Sequence, residues 1–481
     1  MTAPHPLLVA TAPHPLLVAL NRFGLGGRGA ASVYLSSAAA DPRAFVMAEI
    51  EKPVPAPASA ELQPTADLLK GLYDFQEAEK AARAAAPPPA PTPAPATADG
   101  VVAPKPPPAP TPFPQRVFRA EALARVRAGA LASVGFHERL VAFWANHFAV
   151  AVSKAPFIRV TAGSFEREAI RPFALGRFAD MLKAVEQHPA MLFYLDNQQS
   201  MGPNSRAGLN QKKGLNENLA REILELHTLG VNAGYTQADV TNLARIITGW
   251  TFAGREGRIG SPGTFAFVPN WHEPGAFPLL GKTYPEGGRE QGETALADIA
   301  RHPATADHVA RKLASHFIAD APPPALVARL AETFRKTDGD LKAVTLALVR
   351  SEEAWSTPLT KVRDPWEYLI ATTRLLGRVP EDPGPLLGGL NQLGQPLWSP
   401  SGPNGFPDTV AAWASAEGMK LRLDIAAQVA RQTRDPPDPR DLLADALGAA
   451  ASDATREAVA RAETKQQGLA LLLMSPEMQR R

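Results

Sequence analysis

Residues 216–230 read NENLAREILELHTLG, and this stretch marks the chain as helical. At about 100° per residue, its leucines and isoleucine fall in one arc of an α-helix. Glu217, Arg221 and Glu225 follow one another at intervals of four on the opposite side, which predicts an exposed ion-pair ladder. His227 lies inside the apolar arc, so the stretch predicts a helix with a histidine on its buried face.

A second stretch, FHERLVAFWANHFAV at residues 136–150, has the same arrangement, with His147 in the middle of the apolar arc. A buried imidazole needs partners for its ring nitrogens, because an unpaired buried polar atom costs about 1–3 kcal/mol. Two interpretations are open. Each histidine bonds a nearby carbonyl or carboxylate and simply packs, or His147 and His227 face one another across a pocket.

The pocket interpretation has a catalytic and a metal-binding version. In the first, His147 and His227 act as acid–base groups together with Glu222, which lies at the border of the apolar arc. In the second, the two histidines bind a divalent transition metal. Such sites need three or four ligands, and Asp196 in YLDN and His272 in NWHEP are the candidates for the others.

The remaining histidines carry less weight. His308 and Lys312, in ATADHVARKLASHF, are interpreted as residues of a solvated helix face. His5 and His14 lie in an exact tandem copy, TAPHPLLVA at residues 2–10 and 11–19. Because the copy is short and proline-containing, residues 1–19 are predicted to be disordered. The N-terminus also lacks a basic start and a clear cleavage site, so no export signal is predicted and the compartment stays open.

Composition excludes several classes of protein. Lysine plus arginine number 50 against 48 acidic residues, a net charge of +2, so no nucleic-acid-binding surface is expected. The chain has no cysteine, which excludes disulfides, thiolate catalysis and cysteine-bound metal. No run of 18 apolar residues exists, so no membrane span is predicted.

Residues 84–114 form a proline–alanine tract that is predicted to be extended and mobile. The tract is either a linker between domains or an insertion joining two helices of one domain. We favour the insertion, because the chain before it is too short for a core of its own. The predicted architecture is all-α: one large helical domain over residues 20–481, with at most a small β-hairpin within residues 264–284.

Several stretches together resemble a known family. These are LNRFGLG, FWANHFAV, HPAMLFYLDNQQS, NENLAREILELHTLGVNAGYTQADVTNLARIITGWTF, HEPGAFPLLGK, HPATADHVARKLASHF, KVRDPWEYLIATTRLLG and LGQPLWSPSGPNGF. The chain resembles the large bacterial family called domain of unknown function 1800, from about residue 15 to the C-terminus. The resemblance implies a single helical domain. It also implies a sulfatase-like companion protein as a partner and export from the cytoplasm, but no established activity.

Two functions follow as hypotheses. The first is an enzyme, most plausibly hydrolytic, with its site at His147 and His227. The second is a non-catalytic binding or assembly protein, which acts with the sulfatase-like companion or on a polymer. In that case the irregular segments around Trp271 and Trp398 present aromatic and proline surface to the partner.

Overall fold

The structure of the protein is a computed structural model that describes residues 12–29, 32–85, 110–211, 214–231 and 233–481. It is 62% helical and 4% strand, which confirms the prediction of an all-α fold. None of the helices in these ranges is long and apolar enough to cross a membrane.

The α-helices differ widely in length, and most of them begin at a proline or after a side chain that caps their first turn. Their bounds are Pro15–Leu17, Ser32–Ala40, Pro42–Ile50, Thr65–Ala85, Phe113–Leu131, Phe136–His147, Pro156–Phe165, Phe178–Glu186, Pro189–Tyr194, Arg206–Gln211, Asn218–Glu222, Gln237–Ile246, Arg289–Arg301, Pro303–Phe317, Pro324–Lys336, Leu341–Arg350, Glu353–Ser356, Pro365–Leu375, Gly384–Gln392, Val410–Trp413, Ala416–Gln432, Pro439–Leu447, Asp453–Ala460, Lys465–Leu473 and Pro476–Gln479.

Short 3-10 turns lie at Arg171–Phe173, Asn197–Gln199, Pro269–Trp271 and Gly448–Ala450, and wider π-helical turns lie at Val18–Phe23, Glu166–Ile170 and Ile223–His227. π-helical turns are rare and often occur at functional sites. The last of them falls inside the stretch where the sequence predicted a regular α-helix. The ion-pair ladder predicted on that helix is confirmed, because Arg221 lies 3.3 Å from both Glu217 and Glu225.

Three of the four strands lie within residues 264–284, where a small β element was predicted, and the fourth, Trp250–Phe252, lies outside that range. Trp250–Phe252 pairs antiparallel with Phe265–Phe267, and Phe277–Leu279 pairs antiparallel with Lys282–Tyr284. These are two separate two-stranded sheets rather than one hairpin. Both sheets contribute to the main hydrophobic core, since Trp250, Leu279 and Tyr284 are buried in it.

The main hydrophobic core is continuous through most of the helices. It includes the apolar sides of the two histidine-bearing segments, and a smaller cluster forms around the helices after residue 416. The Phe113–Leu131 helix packs on Pro156–Phe165, and Pro303–Phe317 packs on Pro324–Lys336. These contacts place the helices that build the site described below.

The structure bears differently on the two segments that were predicted to be disordered or mobile, the tandem copies and the proline–alanine tract. The first tandem copy and residues 86–109 of the proline–alanine tract are not described. The second copy is not disordered: residues from Pro15 onward are helical, because Leu16, Val18 and Ala19 are buried in the core. On the two sides of the tract, Phe75 and Phe113 bring their rings within 6.5 Å, so the flanking helices pack together.

Candidate functional site: a polar pocket beside two buried histidines

A cavity of about 400 Å³ opens between six helices and one loop. We call it the Lys312 pocket. Its charged and imidazole-bearing lining residues are Arg125, Arg139, His147, Glu166, His308, Arg311, Lys312, His316, Asp364, Glu367 and Asp408. The helices are Phe113–Leu131, Phe136–His147, Pro156–Phe165, Pro303–Phe317, Pro365–Leu375 and Gly384–Gln392. The loop supplies residues 395–398, 400, 404 and 406–408.

Asn146 ties the loop to the helix that carries His147. Its side chain donates to the carbonyl oxygen of Phe406 over 2.9 Å and accepts from the Phe406 amide over 2.7 Å. Gly405 makes this close approach possible: its φ is +74°, and a Cβ there would lie 2.3 Å from the Asn146 carbonyl oxygen. The loop is therefore a fixed wall of the pocket.

The four carboxylates of the pocket all have partners. Glu166 pairs with Arg125 at 3.2 Å, and Glu367 pairs with Arg139 at 3.0 Å. Asp408 accepts from the Arg481 guanidinium over 2.6 Å, and against the opposing effect of burial His316, Arg481 and Lys361 hold its pKa well below the usual range. The fourth carboxylate, that of Asp364, caps the next helix by accepting a backbone N–H over 2.8 Å. Burial raises the pKa of this capping group to about 6.

Two cations of the pocket, by contrast, have no directly bonded partner among the described residues. Within the described ranges, neither Lys312 nor Arg311 makes a hydrogen bond or an ion pair. Arg311 is exposed at the open side, whereas Lys312 lies deeper. Burial lowers the pKa of the Lys312 amine to about 8, against the opposing effect of the negative charge on Asp408. The pocket therefore holds an amine that is partly neutral near neutral pH.

His147 reaches the pocket from the other side. Its Nε2 donates to the backbone carbonyl oxygen of His227 over 3.0 Å, and its ring packs edge-on against Phe148. Burial, reinforced by the charge of Lys312, places the pKa of His147 well below its usual value. His147 is therefore neutral, and its Nδ1 has no partner among the described residues.

His227 lies behind His147 and does not line the pocket. Its Nδ1 lies 2.8 Å from Oε1 of Glu186, and both side chains are completely buried. The ring centroids of His147 and His227 are 6.3 Å apart. The two inward histidines predicted from the sequence are thus neighbours, joined through a backbone carbonyl rather than across a shared ligand.

Two further histidines of the Pro303–Phe317 helix line the pocket. His308 donates from Nε2 to the Leu226 carbonyl oxygen over 3.2 Å, and burial lowers its pKa to about 4. His316 lies 2.8 Å from Asp408 through Nδ1 and 3.4 Å from Arg139 through Nε2. Since arginine can only donate, Nε2 of His316 is the acceptor and its Nδ1 donates to the carboxylate.

Trp398 forms part of the wall rather than an exposed aromatic surface. It is 9% exposed, its indole Nε1 donates to Glu166 over 3.1 Å, and Arg125 lies over its ring at 5.5 Å. Trp366 covers the same guanidinium at 4.6 Å. Trp398 has a φ of +48°, a strained conformation for a bulky residue that often marks a functional region.

The other residues predicted for the site have different partners. Asp196 pairs with Lys154 at 2.8 Å. His272, which is 8% exposed, bonds the Thr248 carbonyl oxygen through Nδ1 over 3.0 Å. Glu222 does not line the pocket, and burial raises its pKa. In the part of the chain that the structure describes, no three histidine, aspartate or glutamate side chains come together as a metal site.

The sequence interpretation of His308 and Lys312 as solvated residues is wrong. The two residues and Ser315 follow at intervals of four and three on one side of the helix, and that side faces the pocket. The sequence pattern of a polar face next to an apolar arc is the same whether that face contacts solvent or an internal cavity. Only the packing of Asp408 and Trp398 opposite this face distinguishes the two.

These features define a helical protein with a polar pocket lined by four cationic and four acidic side chains. The family model described as a protein of unknown function (DUF1800) matches residues 18–480. The chain therefore belongs to this family, as its sequence motifs indicated. No curated protein and no solved structure matches it.

Proposed function

We propose that the protein binds a small organic anion in the Lys312 pocket. One observation carries the proposal: the amine of Lys312 lies in the pocket without a hydrogen bond or ion pair to any described residue, while every carboxylate of the lining already has a partner. A desolvated, unpaired cation is unfavourable in the free protein. An anionic ligand supplies the missing charge, and Arg311 at the open side attracts it.

The rest of the lining defines the other part of the ligand. Phe143, Phe165 and Leu397 form apolar surface, and a volume of about 400 Å³ lies within the range of small-molecule sites. A molecule with one anionic group and a compact apolar body fits this combination. A hydrophilic dianion would leave the apolar wall without a partner.

Benzoate and its uncharged analogue benzyl alcohol test the proposal by isothermal titration calorimetry. We expect benzoate to bind the wild-type protein, and Lys312→Met to weaken it by at least about tenfold, since a charge-assisted hydrogen bond contributes about 1.5–3 kcal/mol. Lys336→Met, at an exposed lysine of another helix, is the matched control and should leave binding unchanged. Equal affinity for both compounds, or no effect of Lys312→Met, would contradict the proposal.

Hydrolysis remains the reaction class predicted from the sequence. The perturbed pKa values of His308 and Lys312 support an acid–base role in this pocket, which Glu222 does not line. A transition metal at His147 and His227 also remains a prediction. It is supported by the buried Nδ1 and Nε2 atoms that lack partners. Elemental analysis of the untagged protein beside His147→Ala and His227→Ala tests it.

The alternative function, assembly with a sulfatase-like companion or binding of a polymer, rests on the family resemblance and on the aromatic segments. Of the two tryptophans invoked for it, Trp271 is partly exposed and Trp398 is buried. A polymer site would therefore centre on Trp271. Loss of polymer binding in Trp271→Ala, with Trp398 intact, is the result that would favour it.

A further inference from the structure

We propose that the Lys312 pocket takes an anionic carbonyl compound, such as an aldehyde or 2-oxo acid bearing a carboxylate, and that the amine of Lys312 forms an imine with it. This inference rests on the proposed anion-binding function and deepens it by naming the ligand class. It starts from the position of the amine: Lys312 lines a pocket built largely of buried groups and has no hydrogen bond or ion pair to any described residue.

A lysine amine reacts with a carbonyl only when it is neutral and free. Most lysines of the chain fail one condition: Lys361 pairs with Asp320 at 3.0 Å, and Lys336 pairs with Glu332 at 2.7 Å on the exposed surface. Lys312 meets both, because its surroundings disfavour the ammonium form. Desolvation is one of the ways in which enzymes activate a lysine amine for such adducts.

The titratable and charged groups around the amine come from each neighbouring element. His308 and Arg311 belong to its own helix, His147 to the Phe136–His147 helix, and Asp408 to the loop. Both histidines are neutral, so neither adds positive charge that would repel the ligand. The side chain of Lys312 leans toward the N-terminus of its helix, and therefore toward His308 rather than toward Ser315.

The chemistry needs no further reactant. The lone pair of the neutral amine attacks the carbonyl carbon and forms a C–N bond. The carbonyl oxygen then leaves as water, together with the two amine protons, and a C=N bond remains. A neutral imidazole such as that of His308 can carry a proton between nitrogen and oxygen during this step. Arg311, exposed at the open side, is placed to receive the carboxylate of the compound.

Reductive trapping tests the inference on the full-length protein. The probe is 4-formylbenzoate with sodium cyanoborohydride at pH 7.5, and peptide mapping by mass spectrometry locates the reduced adduct. We expect Lys312 to be labelled at least about tenfold faster than the exposed Lys336, because its amine is neutral in a far larger fraction of molecules. Benzaldehyde, which lacks the carboxylate, should show a much smaller preference for Lys312.

Benzoate binding by the wild-type protein, measured beside the labelling, separates the two proposals. In Lys312→Arg the guanidinium cannot form the imine, so the adduct should be lost. Wild-type protein that binds benzoate but labels Lys312 no faster than Lys336 would overturn the imine while leaving anion binding intact. Wild-type protein that does not bind benzoate would overturn anion binding itself. Peptide mapping of the wild type decides the question even where the variant does not fold.

Discussion

His147 donates a hydrogen bond from Nε2 to the backbone carbonyl oxygen of His227 over 3.0 Å. This carbonyl is free because the chain makes a π-helical turn over Ile223–His227, after which the regular helical bonding stops. His147 of one helix thus provides a hydrogen-bond donor for a backbone carbonyl oxygen at the C-terminal end of the other. The bond holds the imidazole of His147 inward, and it leaves Nδ1 of His147 beside the Lys312 pocket.

The pair of His227 and Glu186 should be important for stability. Both side chains are completely buried, so His227→Leu leaves the Glu186 carboxylate without its partner. We expect the free energy of unfolding, measured by urea denaturation, to fall by about 3–5 kcal/mol. The double variant Glu186→Leu/His227→Leu should recover part of this loss, because it removes the unpaired group. A double variant that loses the sum of the two single losses would contradict this account.

The sequence placed His227 on the buried face of its helix, but it could not identify Glu186 as the partner of this histidine. Glu186 ends the Phe178–Glu186 helix, and nothing in the sequence says which helix end will reach His227. The helical wheel also assumed a regular α-helix over residues where the chain forms a π-helical turn. Local periodicity predicts which side of a helix is buried, whereas the partner depends on long-range packing.

Lys312 should make stability depend on pH in the alkaline range. Its pKa is about 8 in the folded protein and 10.5 ordinarily, so the unfolded chain binds more protons between these values and stability rises with pH there. Lys312→Met should therefore be more stable than the wild type at pH 7, by about 1–3 kcal/mol after screening by pocket water. This advantage should shrink toward pH 10.

Urea denaturation at pH 7 and pH 9.5 measures the effect. The comparison is between Lys312→Met and wild type at each pH, so other titrating groups cancel. Lys336→Met serves as the control, since its ammonium is exposed and paired on the surface. An advantage of Lys312→Met that is the same at both pH values would show that the amine is not desolvated.

Asp364 should give the opposite dependence in acid. Burial raises its pKa from 3.8 to about 6, so it contributes stability that is fully present below pH 3.8 and is lost as the pH rises through about 6. Asp364→Asn keeps the helix cap, because asparagine caps as well as aspartate. We expect the free energy of unfolding of the variant, relative to that of the wild type, to increase between pH 4 and pH 7 by at most about 3 kcal/mol. A constant difference across this range in thermal or urea denaturation would argue against a buried charge at Asp364.

The Lys312 pocket itself was the part least accessible from sequence. Its lining comes from segments as distant as Arg125, Lys312 and Asp408, and no short motif links them. The tryptophan of LGQPLWSPSGPNGF was interpreted as surface, because an irregular, proline-rich segment usually lies outside. Asn146 and Gly405 hold this segment against the core instead. Such a contact is a property of the fold and has no local signal.

Trp398 and Trp413 offer a matched comparison of how the pocket wall is held. Both are 9% exposed, and both donate from Nε1, Trp398 to the Glu166 carboxylate over 3.1 Å and Trp413 to the Pro407 carbonyl oxygen over 2.9 Å. A hydrogen bond to a charged acceptor contributes about 1.5–3 kcal/mol and one to a neutral acceptor about 0.5–1.5 kcal/mol. Trp398→Phe should therefore cost more stability than Trp413→Phe.

Trp398→Phe should lower the free energy of unfolding but leave the affinity for benzoate nearly unchanged. Arg125 still pairs with Glu166 in the variant, so the wall keeps its charge balance and Lys312 keeps its unpaired amine. Urea denaturation measures the stabilities of the two phenylalanine variants. Benzoate titration measures the affinity of Trp398→Phe, which should stay within about threefold of wild type, a change of less than about 0.7 kcal/mol. Equal losses of stability in the two phenylalanine variants would mean that the indole hydrogen bond to the Glu166 carboxylate contributes no more than the one to the neutral carbonyl of Pro407. A loss of benzoate binding as large as that in Lys312→Met would instead place the anion at Arg125, between the two tryptophans.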